Sequence, residues 1–170
     1  MITYILVEDD VLEQYLTHLI NQDKTPTFLT YKIIYIGGAG NVIDLMKRNE
    51  TTHFFSSPDN VIYILDGDKK EEYKNHKNVF FLPFKSVEKQ LSKHYRNVNR
   101  DGLPEVTETY KGITEKDRIK RLYKDFTNQG YQRLAIMTNT AIFDFINENN
   151  KSEVEQFKNE LISFLQRVFK

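Results

Sequence analysis

The chain has 170 residues, which fits one domain with room for a small appendage, and 39% of them are hydrophobic, enough for one true core. Its 24 basic and 24 acidic residues cancel, which argues against a nucleic-acid binder working through bulk positive charge and leaves a local basic face open. With no cysteine, a disulfide framework, a thiolate nucleophile and a cysteine zinc site are excluded. The opening MITYILVEDD lacks the basic region and apolar stretch of a signal peptide, and no apolar run approaches the length of a membrane span. A cytoplasmic protein with no membrane association is expected.

The first half alternates strands and helices. Residues 2–7 (ITYILV) read as a buried strand, and residues 11–22 as a helix with Val11, Leu12, Tyr15, Leu16, Leu19 and Ile20 on one face. A second strand over 31–36 (YKIIYI) ends in Gly37-Gly38-Ala39-Gly40, followed by a short helix over 41–49. Residues 61–65 (VIYIL) form a third strand and 79–82 (VFFL) a fourth, stopped by Pro83; a helix over 86–96 follows. Strands alternating with helices imply βαβ units, and their all-apolar character fits a parallel sheet covered on both faces. Residues 97–112 read as polar loop, and 114–129, 132–147 and 152–169 as helices. The last carries a capping-box pattern at Ser152 and Glu155 and a stripe of Val154, Phe157, Leu161, Phe164, Leu165 and Val168. The expected architecture is α/β: a mainly parallel four-stranded, Rossmann-like sheet flanked by helices over residues 1–96, with a helical C-terminal extension over 97–170 packed on it.

Ligands of open parallel sheets bind beyond the carboxyl ends of the strands, and the acids of this sequence fall there. Glu8, Asp9 and Asp10 leave the first strand, Asp66 and Asp68 leave the third, and Glu88 opens the helix after the fourth. Converging carboxylates repel one another unless a cation joins them, and hard divalent ions take oxygen ligands. Mg²⁺ or Mn²⁺ is the expected cofactor. Each acid also has a plainer reading: Asp66-Gly67 as a hairpin turn, which the following KKEEYKNHK does not support as a strand; Glu8 to Asp10, and Glu88, as acids at helix N-termini. The glycine turn matches neither a Walker loop nor a dinucleotide fingerprint; Gly38 and Gly40 either let backbone approach a phosphate or serve a tight strand-to-helix turn.

The stretches YILVEDD, IGGAGNV, YILDGDKK and VFFLPFKSVEKQL, in this order and strand context, resemble a Toprim domain. The resemblance runs from Ile2 to about Leu91 and is nearest the nuclease branch of the overcoming-lysogenisation-defect (OLD) family and related ATPase-linked proteins, some of them phage-defence systems. It implies that Glu8, Asp66 and Asp68 are catalytic metal ligands, with Asp9 and Glu88 helping to hold a second ion. The implied reaction is two-metal hydrolysis of nucleic-acid phosphodiesters, DNA first, by an endonuclease that engages its substrate with an ATPase, fused or separate. Some members carry an aspartate where this chain has Leu12, so Asp9 or Asp10 would take that place. Lys69, Lys85 and Lys111 are the candidates for the late lysine of such nucleases. A homo-oligomer stays open, as does whether the sequence is a whole protein or one domain.

ILVEDD followed by an amphipathic helix also resembles a response-regulator receiver, in which Asp66 would accept a phosphoryl group. The long step from Asp10 to Asp66, the lack of proline and glycine in KKEEYKNHK, and Leu82-Pro83-Phe84-Lys85 in place of a lysine–proline pair count against it. An inactive interaction module of similar fold is the third alternative. Basic residues gather at Lys85, Lys89, Lys93, Arg96 and Arg100 and again at Lys116, Arg118, Lys120, Arg121 and Lys124; such runs contact phosphates or are solvated helix faces. The four histidines show no metal-binding spacing.

Overall fold

The computed structural model describes residues 2–22, 30–94, 114–127 and 137–167. Strands β1 (Thr3–Val7), β2 (Tyr31–Tyr35), β3 (Val61–Leu65) and β4 (Val79–Phe81) form one sheet in the order β2-β1-β3-β4, and every pairing is parallel. This is a Rossmann-like α/β fold, as the alternation of strand and helix predicts. All five residues of β3 are buried, as an interior parallel strand requires. Edge strand β2 has no buried residue.

Helices α1 (Asp10–Asn21) and α2 (Ala39–Thr52) connect the first three strands. A 3₁₀ turn (Gly67–Lys69) and the single turn α3 (Lys70–Tyr73) follow β3, so KKEEYKNHK opens as helix. Side chains alternate across the sheet. Leu6, Val61, Tyr63 and Leu65 point to one face, where Ala39, Val42, Ile43 and Met46 of α2 cover them. Ile5, Val7, Ile62 and Ile64, all wholly buried, point to the other. That face is served by α1, through buried Leu12, Tyr15, Leu16, Leu19 and Ile20, and by α7 (Lys151–Arg167). Phe164 of α7 meets Phe80 of β4 edge to face, with ring centroids 5.9 Å apart.

Two compact units emerge, and the first is discontinuous: residues 1–85 with 150–170, and residues 86–149. A helical extension starting at residue 97 therefore spans parts of both. The second unit holds α4 (Val87–His94), α5 (Glu115–Phe126) and α6 (Asn139–Asn149), with α4 touching the other two. Its core includes Leu91, Leu122, Phe126, Ile142 and Ile146, each at most 1% exposed.

Several boundaries differ from the sequence expectation, each for a local reason. Helix α2 starts two residues early because Gly38, at φ 107°, serves as its cap; a left-handed cap position suits glycine. Helix α6 starts at Asn139 because the Thr138 hydroxyl accepts the Ala141 N–H at 3.1 Å, an N-cap bond; residues 132–136 of the expected helix lie outside the described residues. Helix α7 starts at Lys151, with the Val154 N–H bonded to the Asn150 carbonyl at 2.9 Å, so Ser152 sits inside the first turn. Its stripe is buried at Val154, Phe157, Leu161 and Leu165, with Ile162 added; Val168 and Phe169 lie outside the described residues, as does the 97–112 segment.

Leu161 is 2% exposed in a helix that is remote in sequence from the unit it completes. Leu161→Ala should cost about 2–5 kcal/mol, the usual range for a truncated buried leucine. Urea denaturation followed by circular dichroism checks this; a loss under about 1 kcal/mol would mean that α7 does not build the core.

Candidate functional site

The strand order fixes where a ligand can enter. The connection from β1 goes outward to β2, and the chain then returns past β1 to place β3 on its other side. The crevice beyond the carboxyl ends of β1 and β3 is thus the topological switch point, the usual ligand position in such sheets. Glu8 directly follows β1, and Asp66 directly follows β3.

Glu8 is only 6% exposed, and its polar groups face both neighbouring strands. Its carbonyl accepts the N–H groups of Gly37 and Gly38 at 2.8 and 2.9 Å. Its carboxylate Oε2 accepts the Asp66 N–H at 2.7 Å. The Asp66 side chain is near enough to Glu8 to act on its carboxyl as well. Burial pushes the Glu8 carboxyl above the usual carboxylate range, and the charge of Asp9 adds to this; the Asp66 N–H and side chain and the Lys69 charge pull it back without cancelling the rise. Two carboxyls held together in a desolvated place form an oxygen donor pair of the kind a hard divalent cation neutralises.

The turn carrying the second acid is set by close backbone packing. The Gly67 N–H donates to the Phe84 carbonyl at 3.0 Å, the Asp68 N–H to the Lys85 carbonyl at 3.3 Å, and the Lys69 N–H to the Asp66 carbonyl at 3.1 Å. A Cβ at Gly67 would overlap the Phe84 carbonyl and sit 2.6 Å from the Leu82 carbonyl oxygen. Only glycine lets the segment after β3 lie against the segment after β4. The glycine in Asp66-Gly67-Asp68 thus has a packing role that the sequence reading missed; its position between two acids was the only hint.

The other expected residues divide. Asp9 caps α1, its Oδ1 accepting the Leu12 N–H at 2.9 Å, while Asp68 and Asp10 are exposed. Glu8 and Asp66 meet as a pair, but the described residues contain no group of three or more His, Asp or Glu side chains gathered to hold an ion. Gly38 uses its N–H on Glu8 and has a positive φ; Gly40 sits in the first turn of α2 with open space around it. Lys69 is close enough for its charge to act on Glu8; Lys85 is exposed beside the Gly67 turn; Lys111, Arg96 and Arg100 lie outside the described residues. Glu88 is half-buried in the first turn of α4, in the second unit. Tyr73, which sequence reasoning did not single out, is near enough for the charges of Glu8 and Asp44 to raise its hydroxyl pKa, after the larger effects of its hydrogen bond to Glu72 and burial. Neither a family model, nor a curated protein, nor a solved structure matches the chain.

Two outcomes test this geometry. Because the folded pKa of Glu8 is raised, the folded protein holds that proton more tightly than the unfolded chain does. The stability this provides is complete below about pH 4.3, the unperturbed glutamate value, and is lost as pH rises through the folded pKa. In metal-free buffer Glu8→Gln, which keeps an acceptor for the Asp66 N–H, should match the parent near pH 4 and become more stable than it toward neutrality; denaturation across a pH series checks this, and a gap that shrinks with rising pH contradicts it. Gly67→Ala forces the Leu82–Lys85 backbone to move and should cost about 1–3 kcal/mol, typical of overpacking, with an altered midpoint in urea as the readout.

Proposed function

We propose that this chain is a metal-dependent hydrolase of nucleic-acid phosphodiesters, DNA first, of the Toprim type. The observation that carries the reading is the carboxyl pair of Glu8 and Asp66 at the β1/β3 switch point. An amide at position 8 would satisfy the Asp66 N–H without the cost of desolvating a charge, so a buried carboxylate there is better explained by a cation. Glu8 and Asp66 would hold Mg²⁺ or Mn²⁺, and the exposed carboxylate of Asp68 would complete the donor set by turning toward them. Asp9, in the same unit, is the further acid for a second ion. A bound ion would supply charge neutralisation and Lewis acidity at the phosphoryl oxygens. Lys69, already felt by Glu8, is the best supported of the three lysines for pairing with a phosphate.

The balance of 24 basic and 24 acidic residues supports a partner that brings substrate to the site, and an ATPase, fused or separate, would fit that role. Alone, the chain would bind nucleic acid weakly, in the roughly 10⁻⁴–10⁻⁶ M range of non-specific contacts.

Asp66→Asn with Asp68→Asn should abolish Mn²⁺-stimulated cleavage of plasmid and of single-stranded circular DNA. It should weaken Mn²⁺ binding in calorimetry by more than the roughly 10–100-fold that a change outside the ligand shell costs. Equal Mn²⁺ binding by the parent and the double variant would place the ion elsewhere and sink the reading.

A further inference from the structure

The sheet register puts four residues in one lateral row: Tyr35 pairs with Val7, Val7 with Ile64, and Ile64 with Phe80. In a parallel sheet such partners share a face. Val7 and Ile64, in the middle, are wholly buried; Val7 directly precedes Glu8, and Ile64 stands two residues before Asp66. The two ends of the row are aromatic. Tyr35, on the outer strand β2, is 55% exposed, although the backbone beside it is held in place by the Ile36 N–H to Val7 carbonyl bond of 2.9 Å. Phe80, on the opposite edge strand, forms the floor of an open groove of about 590 Å³ with Phe164, walled by Gln156, Asn159, Glu160 and Ser163 of α7. That volume lies within the range of small-ligand sites, and an aromatic floor with amide, hydroxyl and carboxylate walls suits a flat heterocycle whose edge carries hydrogen-bond donors.

Resting on the hydrolase reading, we infer that the substrate is engaged as a single strand, with nucleobases stacked on Tyr35 at one side of the acid crevice and lodged over Phe80 and Phe164 at the other. Three interstrand spacings separate the ends of the row, roughly 14 Å, with the acids above its middle. A duplex keeps its bases stacked on each other and offers neither ring a free face. Stacking on aromatic side chains tolerates any base, because every base has a π-face.

The test is fluorescence anisotropy with the full chain in EDTA, where cleavage is suppressed and carboxylate repulsion is common to all probes. The probes are a labelled dT 12-mer, its duplex with dA, and an abasic 12-mer. The dT strand should bind tighter than the other two. Tyr35→Ala should weaken it by about 5–150-fold, the usual loss for one stacked base, and Tyr35→Phe should restore it. Ser163→Trp, which fills the groove, should weaken it as well. Equal binding of the duplex or the abasic strand, no effect of Tyr35→Ala, or no binding of dT at millimolar protein would overturn the inference. Cleavage of duplex DNA with Mn²⁺ under those negative results would leave the hydrolase reading standing, whereas base-dependent single-strand binding with no cleavage would remove the hydrolase and keep the strand site.

Discussion

The edge of the sheet where the acids gather depends on one residue. Glu8 uses its carbonyl to hold the exit of β2, through Gly37 and Gly38, and its side chain to hold the exit of β3, through the Asp66 N–H. Three strand ends are tied by bonds of 2.7–2.9 Å. The geometry demands glycine at 37 and 38, whose φ values of 98° and 107° lie where a side chain is strained. It also buries a carboxyl group, and that burial pushes the Glu8 pKa up. The bonds themselves need only an oxygen acceptor at this position, so a carboxyl is more than the strand ends require.

A second constraint makes the pair of aspartates a unit with the fourth strand. Because Gly67 lies on the carbonyls of Leu82 and Phe84, the turn after β3 cannot move without the segment after β4. The Asp66 N–H meets the Glu8 carboxylate, and Asp68, two residues on, is exposed. The same packing accounts for the 3₁₀ turn over Gly67–Lys69: three successive N–H groups find carbonyl partners across or within it, and the exit direction of Lys69 follows.

The parts of this arrangement legible in the sequence are those set by local pattern. VIYIL reads as an interior strand because all its side chains are apolar, and it is one. Leu12, Tyr15, Leu16, Leu19 and Ile20 fall on one helical face and are buried there. The parts not legible are those set by pairing at long range. Nothing in YKIIYI says that it lies outside β1, so the β1/β3 switch point could not be located, although the acids flanking it could be named. The final helix has an obvious apolar stripe, but a stripe does not say which surface it meets, and α7 belongs with residues 1–85. Asp9 shows the opposite limit: its role as an N-cap was readable from Asp9-Asp10 preceding an amphipathic helix, and its family-based role as a ligand was not separable from that by sequence.

Parallel strands also bring helix N-termini to the acid edge, and the two nearest differ in charge. Helix α1 begins under the Asp9 cap with Asp10 and Glu13 in its first turn, so its partial positive charge is already met by carboxylates. Helix α2 begins at Ala39, after the Gly38 cap, with no side-chain cap bond and no acid in its first turn, so its partial positive charge is not met by a carboxylate of its own. The edge is therefore polarised: negative above β1 and β3, and positive in sense beside β2, with Lys69 as a local cation near Glu8. An anionic diester would be repelled by the carboxyl pair alone and favoured by the α2 terminus and Lys69. Under the proposed hydrolase reading, a cation held by Glu8 and Asp66 would reverse the sign at the centre of this edge, and binding of the ion and of an anionic substrate would then be coupled electrostatically.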